Sequence, residues 1–477
     1  MANRALEMLN KAGYIPSKSS WTPPDEALYG VKELFRLPED KVTELQFKAV
    51  KYSYQNWYNN CEWYHRYSNE FDMNPEKIKT PEDLSKIPMV SHRFYKTYLE
   101  GPDFINWINQ IHIGKQKNPK INKNNPSLDN MIDSFAELGL LTTYSSGTSG
   151  RFSFIPKDRI TFIRSQYSLG KMGISEILGE WYDPDAYAYL FGPNPSRTNM
   201  WVGKVVELMS YVYKDLQYAL DKDITTQLVR ISLGDVRGIT EKVMATAIKI
   251  LNSTSKMIPN IIKWLEERES NGDKVFLAEA PFIFQSLIER LEKEGKSFDF
   301  GEKGAIITGG GWKTHEDVKI PMSNFRSNVE KTLGIPEKNH VDLYTMVESN
   351  WHAMQCPEGH YLHLPPTIVY PMVLDENLKP IGYEETGRLA FIDPLANSYP
   401  GAIITGDMVK LYEQCPVCDR VGPVLAPEVR RASGEEVRGC AEEMRRLIDE
   451  QTPELMHDLV CTPDMSRMPL MLLEKDD

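Results

Sequence analysis

Cysteine is scarce in this chain: six among 477 residues, too few and too scattered for a disulfide framework. Basic charge is in deficit too, with 55 Lys and Arg against 67 Asp and Glu and a net charge of −12, which argues against a nucleic-acid-binding face. The one Lys-rich stretch, Gly114 to Lys123, is flanked by Asn and Pro and reads as a solvated loop. No apolar run approaches the roughly 18 residues of a membrane span, and Met1-Ala2-Asn3-Arg4 opens no signal-peptide core, so a cytoplasmic location is expected. The length allows more than one core, and the chain reads as two or three globular units.

Against these absences stands Thr142-Thr143-Tyr144-Ser145-Ser146-Gly147-Thr148-Ser149-Gly150, followed by Lys157. Its two glycines permit close backbone approach, so several N–H groups can converge on one anion while Ser145, Ser146, Thr148 and Ser149 add hydroxyl donors. The segment fits neither G-x-x-x-x-G-K-[ST] nor G-x-G-x-x-G. The plain alternative is a polar surface connector.

Three later stretches supply what a polyphosphate loop needs beside it. Gly304 to Lys313 is a short apolar strand ending in Gly309, Gly310 and Gly311, a surface on which a flat ligand can lie against the main chain. Asp342-Leu343-Tyr344-Thr345-Met346-Val347-Glu348 follows, and then Thr405-Gly406-Asp407 behind the apolar run Gly401 to Ile404. Each alone reads as a strand end or a turn; their joint order is the informative property. The repeated Gly-Ala-Ile-Ile-Thr-Gly at 304 and 401 is read as two strands ending at one crevice.

In this order the motifs resemble those of the adenylate-forming enzymes. The resemblance implies a phosphate loop at 145–150 with Lys157 as a catalytic cation, Gly309–Gly311 and Tyr344 against adenine, Glu348 on a magnesium ion, and Asp407 on the ribose hydroxyls. Thr345 stands where that family has glycine, and Val347 where it has threonine.

The cysteines carry a separate signal. Cys415-Pro416-Val417-Cys418 is a knuckle suited to tetrahedral zinc, and Cys356 with His360 or His363, about 55 residues earlier, completes a Cys3His set whose imidazole the spacing leaves open. With four protein ligands such a zinc is structural. A redox C-x-x-C is the alternative, but no thioredoxin-like pattern surrounds it. Cys61, among Trp57, Trp63 and Tyr64, reads as core packing.

The zinc-like spacing narrows the resemblance to phenylacetate-CoA ligases and to the acyl-protein synthetases of the bacterial luminescence fatty-acid reductase complex. Lys86 to Lys96 and Ala278 to Phe282 are similar to segments of the latter. So is Arg438-Gly439-Cys440, whose cysteine the resemblance makes the acceptor of the acyl group, with Arg438 favouring the thiolate. Cys461 is a rival, and a small hydrophobe at a helix start is the structural alternative for Cys440.

The expected architecture is α/β, an adenylate-forming (acyl-CoA synthetase-like) fold with a large N-terminal adenylation domain and a short, truncated C-terminal lobe. Its parts are a helical segment at 1–75, an adenylation domain at 76–425 with a zinc knuckle near 356–418, and a lobe at 426–477. Strands are expected at 186–191, 275–278, 305–308, 341–346, 367–374, 388–392 and 402–405, with a mostly helical stretch from Arg159 to Lys274 lining the acyl pocket. The implied activity is ATP-dependent conversion of a carboxylic, fatty acid to an acyl-adenylate, then to a cysteine thioester for an acyl-CoA reductase or acyl carrier. ATP, Mg2+ and Zn2+ are the implied cofactors. A direct CoA ligase, which would add CoA, and a non-catalytic zinc-stabilised nucleotide-binding subunit are the alternatives.

Overall fold

The computed structural model describes residues 3–97, 101–120, 127–145, 152–232, 234–253, 257–312 and 319–432. Its centre is a mixed sheet of 14 strands, two of which, Val90–Ser91 and Arg430–Arg431, pair with Ala402–Tyr412 outside the main order. Five run parallel at one side, in the order Asp215–Leu220, Tyr187–Pro193, Val275–Glu279, Gly304–Gly309 and His340–Tyr344. The sheet then turns antiparallel through Ala353–Gln355, Leu362–His363, Val424–Leu425, Ala402–Tyr412, Thr386–Ile392, Tyr370–Leu374 and Pro380–Ile381.

The parallel strands are apolar on both faces, as helix-covered strands must be. Phe276, Ala278, Ala305 and Ile307 point into one core, while Val275, Leu277 and Ile306 point into a second, the period-2 alternation of a strand. Helices Pro281–Glu294 and Met322–Leu333 cover the second face, and each ends at a glycine in the left-handed region, Gly295 at φ 64° and Gly334 at φ 68°.

The helical N-terminal segment packs into the first core rather than standing apart. Trp57 Nε1 donates to Ala396 O (2.8 Å), Ser53 Oγ to Pro394 O (2.8 Å) and Thr367 Oγ1 to Ala27 O (2.8 Å). A buried ion pair, Arg164 with Asp25 at 2.8 Å, fastens residues 22–29 to the helix Arg159–Leu169. Cys61 lies in the same core as expected, and burial pushes its thiol up to about 12. No helix among the described residues is long and apolar enough to cross a membrane.

Several boundaries moved. The expected 367–374 strand starts at Tyr370, because the preceding residues turn after Pro365-Pro366. The expected 341–346 strand stops at Tyr344, and the 402–405 strand runs on to Tyr412. The stretch read as helical between 159 and 274 also holds the edge strand Asp215–Leu220, where a run of mixed burial fits a half-exposed edge.

Candidate active site and metal cluster

Strands Leu140–Ser145 and Phe152–Asp158 form an antiparallel hairpin with Ser145 opposite Ser153. Ser145 therefore ends the stem of the expected phosphate loop. Ser146, Gly147, Thr148, Ser149 and Gly150 lie outside the described residues, as do Cys440 and Cys461.

Lys157, on the second hairpin strand, is fully buried. Its Nζ donates to Asn350 Oδ1 (2.7 Å), Ser349 O (3.2 Å) and Tyr399 OH (3.4 Å), and sits 4.4 Å from the Trp201 ring centroid. The cation thus ties the hairpin to the segment directly after Glu348. Asn350 bridges it to Asp393, which accepts from Asn350 N (2.6 Å), Asn350 Nδ2 (2.9 Å) and Leu395 N (2.9 Å). Burial lowers Lys157 to about 7, against Asp393 and Glu348, and raises Asp393 to about 6.

The other motifs converge on a second point. Gly309 ends its strand opposite Leu343, and an added Cβ there would meet Leu343 O at 3.3 Å; Gly310 and Gly311 follow with φ of 77° and 61°. Tyr344 OH donates to Asp407 Oδ2 at 2.7 Å, and burial pushes this phenol well above its usual value, so it remains a donor. Asp407 is in mid-strand rather than at a strand end. Between the pairs Ile404↔Ala390 and Met408↔Arg388, three residues oppose the single Leu389. Thr405 Oγ1 secures this bulge on Leu389 O (2.8 Å) and accepts from Asp407 N (3.0 Å). A bulge re-aims a side chain out of the ladder, and here it turns the carboxylate toward Tyr344. Asp407 Oδ1 also pairs with Arg431 Nη1 at 3.1 Å, across the Asp407↔Arg431 register.

Glu348 is buried, and its carboxylate accepts no hydrogen bond among the described residues; its carbonyl takes the Tyr399 hydroxyl at 2.9 Å. Thr345 Oγ1 lies 3.5 Å from Ser349 Oγ. Behind Tyr344, Asp342 accepts from Thr308 Oγ1 (2.7 Å), and burial raises its carboxyl to about 6. Sequence reasoning did not single out Asn350, Asp393, Tyr399 or Arg431, because each acts through a partner distant in the chain and carries no local motif.

The cysteine signal resolves into a cluster. Donor atoms of Cys356, His363, Cys415 and Cys418 all lie within 4.8 Å of one another, and His363 Nε2 is 3.4 Å from Cys418 Sγ. Tetrahedral zinc at about 2.3 Å from sulfur places its ligands about 3.8 Å apart, so the set fits a small contraction onto one ion. His360 takes another role: at φ 61° it makes the turn after Cys356, and its Nε2 lies 2.9 Å from Glu337 Oε1.

The model of the family described as acyl-protein synthetase, LuxE, matches residues 127–448. The chain belongs to the LuxE acyl-protein synthetase family. This acyl-protein synthetase is 26% identical over 308 residues to a long-chain-fatty-acid–luciferin-component ligase of Aliivibrio fischeri, covering 64% of this chain and 71% of that one. A ligase of the same description from Vibrio harveyi is 22% identical over 425 residues, 88% and 92% of the two chains. Among solved structures, 2-hydroxyisobutyryl-CoA ligase in its postadenylation state superposes with a TM-score of 0.56 at 11% identity, over 88% of this chain and 74% of that one. Its thioesterification state with 2-HIB-AMP and CoA gives 0.55 at 13% identity, over 83% and 70%. The chain therefore has the adenylate-forming fold and belongs to an enzyme family, that of the acyl-protein synthetases.

Proposed function

We propose that this enzyme activates a fatty carboxylate with ATP and passes the acyl group to Cys440 as a thioester, for delivery to an acyl-CoA reductase or an acyl carrier. The observation that carries the nucleotide site is the Tyr344–Asp407 contact beside the Gly309–Gly311 turn. Adenine lies against the glycine turn and Tyr344, and the Asp407 carboxylate accepts the ribose hydroxyls. The segment from Ser145 to Gly150 holds the phosphates, while Lys157 acts by fixing Ser349 and Asn350, directly after Glu348. Glu348, buried and with a carboxylate that accepts no hydrogen bond among the described residues, fits a magnesium ligand; bound Mg2+ would neutralise phosphate charge.

In the first step a carboxylate oxygen attacks the α-phosphorus and the bond to pyrophosphate breaks. In the second the Cys440 thiolate attacks the acyl carbon and AMP leaves. The fatty substrate is supported by the two ligases of Aliivibrio fischeri and Vibrio harveyi, whose names specify a long-chain fatty acid and a luciferin component. ATP–pyrophosphate exchange across carboxylic acids of increasing chain length tests the reading. Exchange with fatty acids is expected; none with any acid would leave a nucleotide-binding subunit and overturn it.

Asp407→Ala is expected to weaken ATP binding by about 2 to 4 kcal/mol, since a charged acceptor for two hydroxyls is lost. Calorimetric titration with ATP measures this, and unchanged affinity would remove the ribose contact. The cluster of Cys356, His363, Cys415 and Cys418 is proposed to hold one structural zinc. Cys415→Ser is expected to lower both zinc content and melting temperature. Elemental analysis that finds no zinc in wild-type protein purified without chelator would exclude the site.

A further inference from the structure

We infer that Gln355 is a positioning residue that couples the metal cluster to the adenosine wall, so that zinc and adenine nucleotide each strengthen binding of the other. The inference rests on the nucleotide and zinc readings above and goes beyond them.

Gln355 directly precedes Cys356 and is buried. Its strand pairs with that of Tyr344 through Ala353↔Tyr344 and Met354↔Leu343. Beyond that register the side chain takes over from the ladder: Gln355 Oε1 accepts Asp342 N at 3.2 Å and Arg326 Nη2 at 2.7 Å. Asp342 in turn takes the hydroxyl of Thr308, the neighbour of Gly309. One amide oxygen thus links the residue beside a thiolate donor to the strand of Tyr344, and the Asp342 carboxylate carries the link on to the strand of Gly309.

The other arm of the cluster reaches Asp407. His363 pairs with Met354 on one side and Val424 on the other, and Val424–Leu425 pairs with Tyr412 and Leu411 of the strand carrying Asp407. These intervening strands are two or three residues long and have few ladder bonds of their own. Short strands of this kind are marginal without a cross-link. An ion joining Cys356, His363, Cys415 and Cys418 therefore sets the spacing between the strands of Tyr344 and Asp407. A nucleotide held between those two residues favours the spacing in which the four donors meet. Such coupling is reciprocal.

The test uses the full-length protein and two binding readouts. AMP affinity is measured by calorimetry before and after zinc is removed with a chelator, and zinc release to a chromogenic chelator is followed with and without saturating AMP. Zinc removal is expected to weaken AMP binding on the order of tenfold, and AMP to tighten zinc retention by a like factor. Gln355→Leu should keep zinc near one per chain but reduce the effect of AMP on zinc retention, and Gln355→Glu, which retains an acceptor, should restore it; an undiminished effect in Gln355→Leu would overturn the role of Gln355. Wild-type protein that binds both but holds zinc equally with and without AMP would overturn the coupling alone, whatever the variants do. Wild-type protein that lacks zinc or does not bind AMP would overturn the underlying reading and the coupling with it.

Discussion

Lys157→Ala is expected to destabilise the protein by about 3 to 5 kcal/mol, read from urea unfolding at neutral pH. The variant leaves Asn350 Oδ1 and the carbonyl of Ser349 without their cation and Asp393 as a buried carboxylate with no compensating charge. The double variant Lys157→Met with Asp393→Asn removes both charges at similar volume and should recover most of the loss, because neutral isosteres of a buried pair are often tolerated.

The pair also gives stability a pH signature. Folding lowers Lys157 to about 7, so the folded protein binds fewer protons than the unfolded chain above that value, and the cost of burying the ammonium lifts as pH rises toward the ordinary lysine range. Folding raises Asp393 to about 6, so its contribution is present in acid and is lost as pH climbs through that value. Relative to the double variant, wild-type stability should be lowest between these two values. A difference independent of pH from about 4 to 9 would mean that the groups do not titrate as a buried pair.

Cys440→Ser is expected to leave ATP–pyrophosphate exchange nearly intact while abolishing the hydroxylamine-sensitive acyl label on denatured protein. Adenylation precedes thioester formation and needs no thiol, whereas transfer needs a nucleophile ionised near neutral pH, which a serine hydroxyl is not. A label that persists in Cys440→Ser but disappears in Cys461→Ser would move the acceptor to the later cysteine. Free CoA acylated directly, with neither substitution mattering, would make this a CoA ligase.

Much of the candidate site was legible because its signals are local: a glycine turn, a Thr-Gly-Asp and a Cys-x-x-Cys each fall within a few residues, although Thr405 to Asp407 read as a turn at a strand end and form a bulge in mid-strand. The spacing could not choose between His360 and His363, since both follow Cys356 closely; backbone conformation decides, with His360 spent on the turn and His363 on a strand in the cluster. The position of Lys157 was equally hidden. Its distance from the loop invites a contact with phosphate, but strand alternation puts its side chain on the face that points inward to Asn350 and Tyr399. The network around Asp393 left no trace in the sequence, because its side chain–side chain hydrogen bonds join residues 43 to 242 positions apart.

The burial of the N-terminal helices against residues near 366–397 has a consequence for biosynthesis. The carbonyl that receives the Ser53 hydroxyl lies 341 residues downstream. At about 5–20 residues per second, the helix Glu39–Asn60 leaves the ribosome roughly 20–70 s before that partner exists. Throughout that interval Tyr54 and Trp57, fully buried in the finished protein, have nothing of the late sheet to pack against. The helix Glu39–Asn60 is thus made well before the residues that cover it, and its aromatic face is what a chaperone would have to shield on the nascent polypeptide.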